Sequence, residues 1–365
     1  MSYISIALKK LRILHITPWF PSEENPSHGI WIQRHIESLA PICDNQVVHM
    51  SLSEGKYTVQ RSSREGFEHI AIRVPSKRWL IKEFVYFRVL KKTLKAHDSF
   101  DLINFHIAYP GLVFAHRLKD EIRKKIVITE HWSAYHFHFF SDKPLNRIKR
   151  IFSHGFPLIT VSSQLHKDIE HFAGRPIPER IVPNGVNTST FKLNTSQSRE
   201  KTLLLGAYWK KPKRPFLFLA AAEEFLHNNP EWKVKIFGYG PSSTALEIWC
   251  EHNNQEYLGR LTPDQVAIEM CKCYGYVMPS DYETFSVGCA EALCCGTPIL
   301  ISDRGALPDH LHGENGIPVM ESEWPAAIEQ FTSKRWDNTK ISEAAVRKYS
   351  YAAVGMSYFN ALQEL

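Results

Sequence analysis

The chain has 365 residues, 44% of them hydrophobic and 22% charged, with a formal net charge of +6. That balance describes a folded globular protein, excludes a disordered or fibrous one, and leaves room for two domains of ordinary size. No apolar run approaches the ~20 residues of a membrane-spanning helix, and the lysines of residues 1–10 follow the apolar residues, the reverse of a secretory signal, so a cytoplasmic protein is expected.

Residues 12–17 read as the first buried strand, ended by Pro18 and Pro21, and residues 30–40 read as a helix. A dinucleotide-binding domain would place G-x-G-x-x-G between them. The single Gly29 there weighs against an oxidoreductase. Further strands are predicted at 46–50, 69–74 and 101–105, with a helical pattern over 79–97. The segment from Arg78 to Lys95 carries six cations, one acid and the aromatics Trp79, Phe84, Tyr86 and Phe87. That is the composition of a helix lying on a membrane surface. The stretch from His136 to Phe140, followed by Lys143, Arg147, Lys149 and Arg150, repeats it. Residues 1–180 hold 27 Lys+Arg against 17 Asp+Glu, so this half is expected to rest on an anionic membrane surface as a peripheral protein. Strands at 126–130 and 158–163 follow, and His131 stands at the carboxyl end of the first. Asn184-Gly185 marks a turn, and the polar run 194–200 reads as a linker, which puts a domain boundary near residue 190.

The second half begins with a strand at 202–206 and a basic loop containing Lys210, Lys211, Lys213 and Arg214. A strand from Val234 ends in Gly238-Tyr-Gly-Pro241, which lacks the third glycine of a dinucleotide fingerprint because position 243 is Ser. Thr262-Pro-Asp-Gln opens a helix shortly after Arg260. Seven cysteines with no repeating spacing point to reduced, buried thiols. The most informative stretch is 274–302. An apolar strand at 274–278 is broken by Pro279-Ser-Asp281, and a helix is predicted from about Phe285. Gly296 and Pro298 stop it, and residues 299–301 return as a strand. Ligands of such α/β units lie beyond the carboxyl ends of the strands. There the amides of Phe285, Ser286 and Val287 at the helix N-terminus would face an anion such as a diphosphate. Glu283 falls in the loop and Glu291 about two turns into the helix, and helical side chains lean toward the N-terminus, so both reach one crevice. A carboxylate can accept hydrogen bonds from the vicinal hydroxyls of a ribose or a sugar.

Asp281-Tyr-Glu-Thr-Phe, Glu291-Ala-Leu and Gly296-Thr-Pro, with Ile181-Val-Pro-Asn-Gly-Val-Asn upstream, resemble the signature of the retaining, nucleotide-sugar-dependent glycosyltransferases of family 4. The resemblance implies the GT-B fold, an α/β chain of two Rossmann-like, doubly wound parallel-sheet domains facing a cleft. Residues 1–190 would take the acceptor, 191–350 would bind the donor, and a terminal helix, 351–365, would pack back on the first domain. It implies that Glu283 and His131 contact the donor sugar, with His106 a second candidate, that Glu291 holds the ribose and that Lys213 meets the pyrophosphate. Gly29 would close over the diphosphate, and Arg260 would stack on the base. Where the family has an arginine after the glycine at 206, this chain has Ala207 and Tyr208, and Lys210 is the nearest substitute. The function implied is retaining transfer of a sugar to a hydroxyl of a glycan or lipid-linked acceptor in cell-surface polysaccharide synthesis. His131, Glu283 and Lys213 would be catalytic, with no metal, no resident cofactor beyond the donor substrate and no nucleic-acid partner. A sugar-nucleotide epimerase of the same architecture, or a non-catalytic sugar-binding subunit, is the alternative.

Overall fold

The computed structural model describes residues 10–25, 27–64, 66–75, 82–97, 99–139 and 145–365. The chain divides into two compact units, Met1–Gly185 with Val354–Leu365, and Val186–Ala353.

The first unit runs β1 (Leu11–Thr17), α1 (Ile30–Leu39), β2 (Cys43–Ser53), β3 (Thr58–Arg64), β4 (Phe67–Pro75), α2 (Lys82–Ala96), β5 (Leu102–His106), α3 (Asp120–Arg123), β6 (Ile126–Glu130), α4 (Leu145–Phe152), β7 (Leu158–Thr160) and α5 (Ser163–Ala173). Its sheet has the order β3-β4-β2-β1-β5-β6-β7. Six strands are parallel; β1, β5, β6 and β7 are buried along almost their whole length, as strands covered on both faces are, whereas β2 and β4 alternate. The edge strand β3 pairs antiparallel with β4 and was not predicted. Its sequence, Thr58-Val-Gln-Arg-Ser-Ser-Arg64, is exposed along almost its whole length and therefore carries no apolar alternation.

The second unit runs β8 (Glu200–Tyr208), α6 (Pro215–Asn228), β9 (Lys233–Tyr239), α7 (Ser243–His252), β10 (Glu256–Gly259), α8 (Pro263–Lys272), β11 (Cys273–Met278), α9 (Val287–Cys294), β12 (Ile299–Ser302), β13 (Gly316–Val319), α10 (Trp324–Ser333) and α11 (Asn338–Tyr349). All its strands are parallel, in the order β10-β9-β8-β11-β12-β13. This is the doubly wound 3-2-1-4-5-6 order, which reverses between β8 and β11 and opens a crevice at their carboxyl ends. Thr262 and Gln265 form a full capping box at the start of α8. At the end of α9, Gly296 is left-handed, its N–H donates to Leu293 O and that of Thr297 donates to Ala292 O, the paired bonds of a Schellman stop.

The last helix, α12 (Tyr351–Gln363), returns from Val354 onward to the first unit. Val354, Tyr358 and Leu362, four residues apart on one face, pack with Ile13, Leu39, Val127, Ile159 and Val182. Gly355 lets the helix approach α1, because a Cβ there would lie 2.0 Å from Ser38 O.

All seven cysteines are free and buried. Among the described residues, no helix is long and apolar enough to cross a membrane. Tyr86 and Phe87 of α2, expected on a membrane-facing side, are buried in the first unit, and only Phe84 of that trio is exposed. Phe139 is likewise packed against Trp132, Tyr135 and Phe172. Arg78, Trp79, Phe140 and Lys143 lie outside the described residues.

Candidate functional site

In the second unit, the loops that leave β8 and β11 are joined at the point where the strand order reverses. Trp209 anchors the first by donating from Nε1 to Phe237 O at 3.0 Å and from its amide to Tyr239 O at 2.7 Å. Lys213 then forms an isolated bridge with Ser280, and Asp281 N donates to Pro212 O at 3.1 Å. Through this seam the Lys213 ammonium meets Oε1 of Glu283, which also accepts from Ser280 Oγ at 2.8 Å. Both side chains of the pair are largely buried, and an ammonium held by a single carboxylate at a strand reversal is a cation for which an anion could compete.

Glu283 is also gripped by the loop after β12. Ala306 N donates to its carbonyl at 3.0 Å, and Gly305 lies so close, at φ +58°, that a Cβ would sit 2.8 Å from Glu283 N. Sequence reasoning missed Gly305, Ser280 and the exposed charge lattice around them. In that lattice Arg214 pairs with Asp281 at 2.9 Å and Glu321 at 2.6 Å, and Arg304 pairs with the same two acids.

The helix after this loop begins two residues later than predicted, at Val287, because Ser286 is left-handed at φ 70° and ends the loop there. Its hydroxyl donates to Cys289 Sγ instead of capping the helix. The helix's own unpaired amides therefore begin at the Ser286 cap and the turn opened by Val287. Phe285 is a packing residue: its buried ring lies edge-on to His310 and Tyr349, and its carbonyl accepts from His310 Nε2. Glu291 stands on the same helix, 9% exposed. Tyr276 of β11 lies beneath α9, close enough to Gly288 that a Cβ there would meet its hydroxyl at 2.5 Å. Burial, and then the nearby Cys289, Glu291 and Glu283, hold that phenol well above its ordinary pKa, so both acids act on one buried ring.

Lys210 and Arg260 belong to a different cluster on this sheet edge. Lys210 Nζ lies 5.3 Å from the Tyr208 ring, Arg260 Cζ lies 4.8 Å from the Tyr239 ring, and the two tyrosines meet edge-on at 5.1 Å. The tyrosines are partners in the β8–β9 register, a pairing that single-strand patterns do not reveal.

In the first unit, Gly29 is buried at φ 74° just before α1, and a Cβ would lie 2.8 Å from the Trp19 carbonyl carbon, so the backbone itself demands glycine. His131 follows β6 and is 6% exposed. Its Nε2 lies 3.3 Å from His106 Nδ1, and His106 Nε2 lies 3.1 Å from His15 Nδ1. Burial lowers all three imidazole pKa values, that of His15 to about 4, so the rings are neutral at pH 7. The adjacent Glu130 is fully buried and accepts from Ala108 N at 2.7 Å, Tyr135 Oη at 2.6 Å and His131 N at 3.2 Å. Burial raises its pKa to about 7, and these donors work against that rise. Among the described residues, His35, His106 and His131 also bring one nitrogen each within 4.8 Å of one another, a group able to hold a metal.

Two doubly wound units, the second with an ion pair at its strand reversal, define the class as GT-B. A sucrose-phosphate synthase from Thermosynechococcus elongatus has the same fold, with a TM-score of 0.73 and 16% identity over 97% of this chain and 99% of that one. So does HepE of Anabaena, solved with UDP and glucose, with a TM-score of 0.71 and 14% identity over 97% and 100%. Residues 32–190 match the model of Glycosyltransferase Family 4, and residues 199–334 match that of Glycosyl transferases group 1. The chain belongs to the group 1, family 4 glycosyltransferases. It is 26% identical over 231 residues to an uncharacterized glycosyltransferase of Methanocaldococcus jannaschii, a match covering 62% of this chain and 63% of that protein. It is 28% identical over 180 residues to the MMP alpha-(1->4)-mannosyltransferase of Mycolicibacterium hassiacum, covering 48% and 43%.

Proposed function

We propose that this protein moves a sugar from a nucleotide-sugar donor to a hydroxyl of a glycan or lipid-linked acceptor, with retention and without a resident metal. The observation that carries this reading is the Lys213–Glu283–Ser280 group at the strand reversal of the second sheet, beside the opening turn of α9. HepE, solved with UDP and glucose on the same fold, supports the donor class, and the mannosyltransferase relative supports glycosyl transfer as the reaction.

In this reading the donor diphosphate draws the Lys213 ammonium from Glu283, and the amides that open α9 share its charge. Glu283, so released, accepts from hydroxyls of the transferred sugar, and Glu291 accepts from the ribose. Lys210 adds charge near the phosphates, and Arg260, already seated on Tyr239, offers its other face to the base. Catalysis is then stabilisation of the leaving diphosphate together with positioning.

Incubation with a panel of nucleotide sugars and glycan or polyprenyl-phosphate acceptors tests the reading. Transfer product is expected, where an epimerised donor or no turnover would favour an epimerase or a binding subunit. The absence of the usual arginine at 207–208 lends weight to the binding-subunit outcome. Lys213→Ala and Glu291→Ala should each lower transfer about ten-fold or more, the worth of a charge-assisted hydrogen bond, while the protein stays folded by circular dichroism. Saturating EDTA should leave the initial rate unchanged. A rate that collapses and returns with Mg²⁺ would overturn the metal-free account.

A further inference from the structure

The loop after β12 reaches the head of α9 through one buried ring. His310 ends the turn Leu307–His310, and Asn315 fixes its main chain by donating from Nδ2 to His310 O at 2.8 Å. The imidazole is buried between Phe285 and Tyr349. Its Nε2 meets the Phe285 carbonyl, and its Nδ1 lies 3.0 Å from Tyr349 Oη. A carbonyl oxygen only accepts, so the neutral ring carries its proton on Nε2 and takes the phenol's hydrogen at Nδ1. Burial keeps the ring neutral by lowering its pKa to about 4.

What the imidazole holds is a peptide plane. The Phe285–Ser286 bond is trans and planar, so its C=O and N–H point in opposite directions. With the carbonyl turned to His310, the Ser286 N–H is aimed away from that ring, and among the described residues it meets no acceptor. Ser286 also sits at φ 70°, a strained conformation for serine that lasts only where the surroundings fix it. Its own hydroxyl makes a weak bond to Cys289 Sγ at 3.2 Å, so the carbonyl next to it is the firmer hold. Cys289 in turn interacts electrostatically with Glu283 and Lys213, which places this turn in the neighbourhood of the ion pair. We propose that His310 is a positioning residue for the donor: by holding the Phe285 carbonyl it aims the Ser286 amide at the diphosphate. This role deepens the function proposed above and rests on it for the diphosphate. All of these residues belong to the second unit.

Titration calorimetry with UDP, GDP, ADP, CDP and dTDP, beside thermal melts, separates aiming from plain packing. His310→Gln loses the ring but keeps an N–H for the Phe285 carbonyl, and should bind as the wild type does even where it melts lower. His310→Phe, made together with Tyr349→Phe so that no hydroxyl is left buried without an acceptor, keeps the ring and loses the N–H. That double variant should bind the diphosphate about ten-fold more weakly, the worth of one hydrogen bond to an anion. Tyr349→Phe alone should bind as the wild type does. In ¹⁵N-labelled wild-type protein the Ser286 amide proton should move downfield when the diphosphate is added, and in the double variant it should stay. Undiminished binding by the double variant, or an equal loss in His310→Gln, would overturn the proposal. So would a wild-type Ser286 amide that does not respond, or a wild type that binds none of these diphosphates. Transfer by the wild type is read in its own assay, so the glycosyl-transfer reading stands or falls separately.

Discussion

Glu283 shows how a residue given its chemistry by one segment depends on another for its position. Its carboxylate belongs to the loop after β11, yet its main chain is held by Ala306 and hemmed in by Gly305, both from the loop after β12. Gly305→Ala would add strain of roughly 1–2 kcal/mol for an L-residue at φ +58° and a collision with the Glu283 amide. We expect a drop of a few degrees in melting temperature and a loss of transfer at least as large as that of a direct donor contact. Transfer at the wild-type rate in that variant would show that the glycine does not hold Glu283 in place. Gly29 carries the same kind of demand in the first unit, so its substitution tests folding before it tests any role in closing over a diphosphate.

At the scale of elements, α2 separates composition from placement. Its buried face, with Tyr86, Phe87, Leu90 and Leu94, belongs to the first unit's core, and its outer face presents Arg88, Lys91, Lys92 and Lys95 with Phe84. Rings committed to a core cannot enter a bilayer, so membrane association through the described part of this helix would rest on charge, at about 1 kcal/mol per cation near anionic lipid. Co-sedimentation with phosphatidylserine-rich vesicles should therefore appear at low salt and vanish at high salt. It should also fall when Lys91, Lys92 and Lys95 become Glu. Equal recovery with neutral and anionic vesicles at low salt would remove the membrane from the account.

For the molecule as a whole, the buried histidines govern the response to acid. His15, His35, His49, His69 and His310 have folded pKa values lowered to about 4 by burial, with His106 and His131 lowered as well. The unfolded chain binds protons on these rings from about pH 6.5 downward, and the folded chain does not until about pH 4. Stability is thus fully present above pH 6.5 and is lost as pH falls toward 4. Glu130 acts the other way: its folded value of about 7 lies above the unfolded one, so its contribution is present at low pH and lost as pH rises through 7. Seven histidines outweigh one glutamate, and the melting temperature should fall steadily from pH 7 to pH 4.5. A flat profile over that range would mean that the rings are not held neutral.

Much of this was legible in the sequence because the signals were local. Buried parallel strands write themselves as apolar runs, the α9 stop follows from Gly296, and the loop and helix carrying Glu283 and Glu291 lie within one short stretch. The family followed from the same motifs. What the sequence could not carry were pairings between distant residues. The exposed edge strand β3 exists only through its bonds to β4. Tyr208 meets Tyr239 only in register, Gly305 reaches Glu283 from another loop, and Tyr86 turns inward by the packing of its helix. The linked histidines His15, His106 and His131 come from β1, β5 and the loop after β6, up to 91 residues apart in one step. A histidine's tautomer depends on the atom across from it, and tertiary structure alone decides which atom that is.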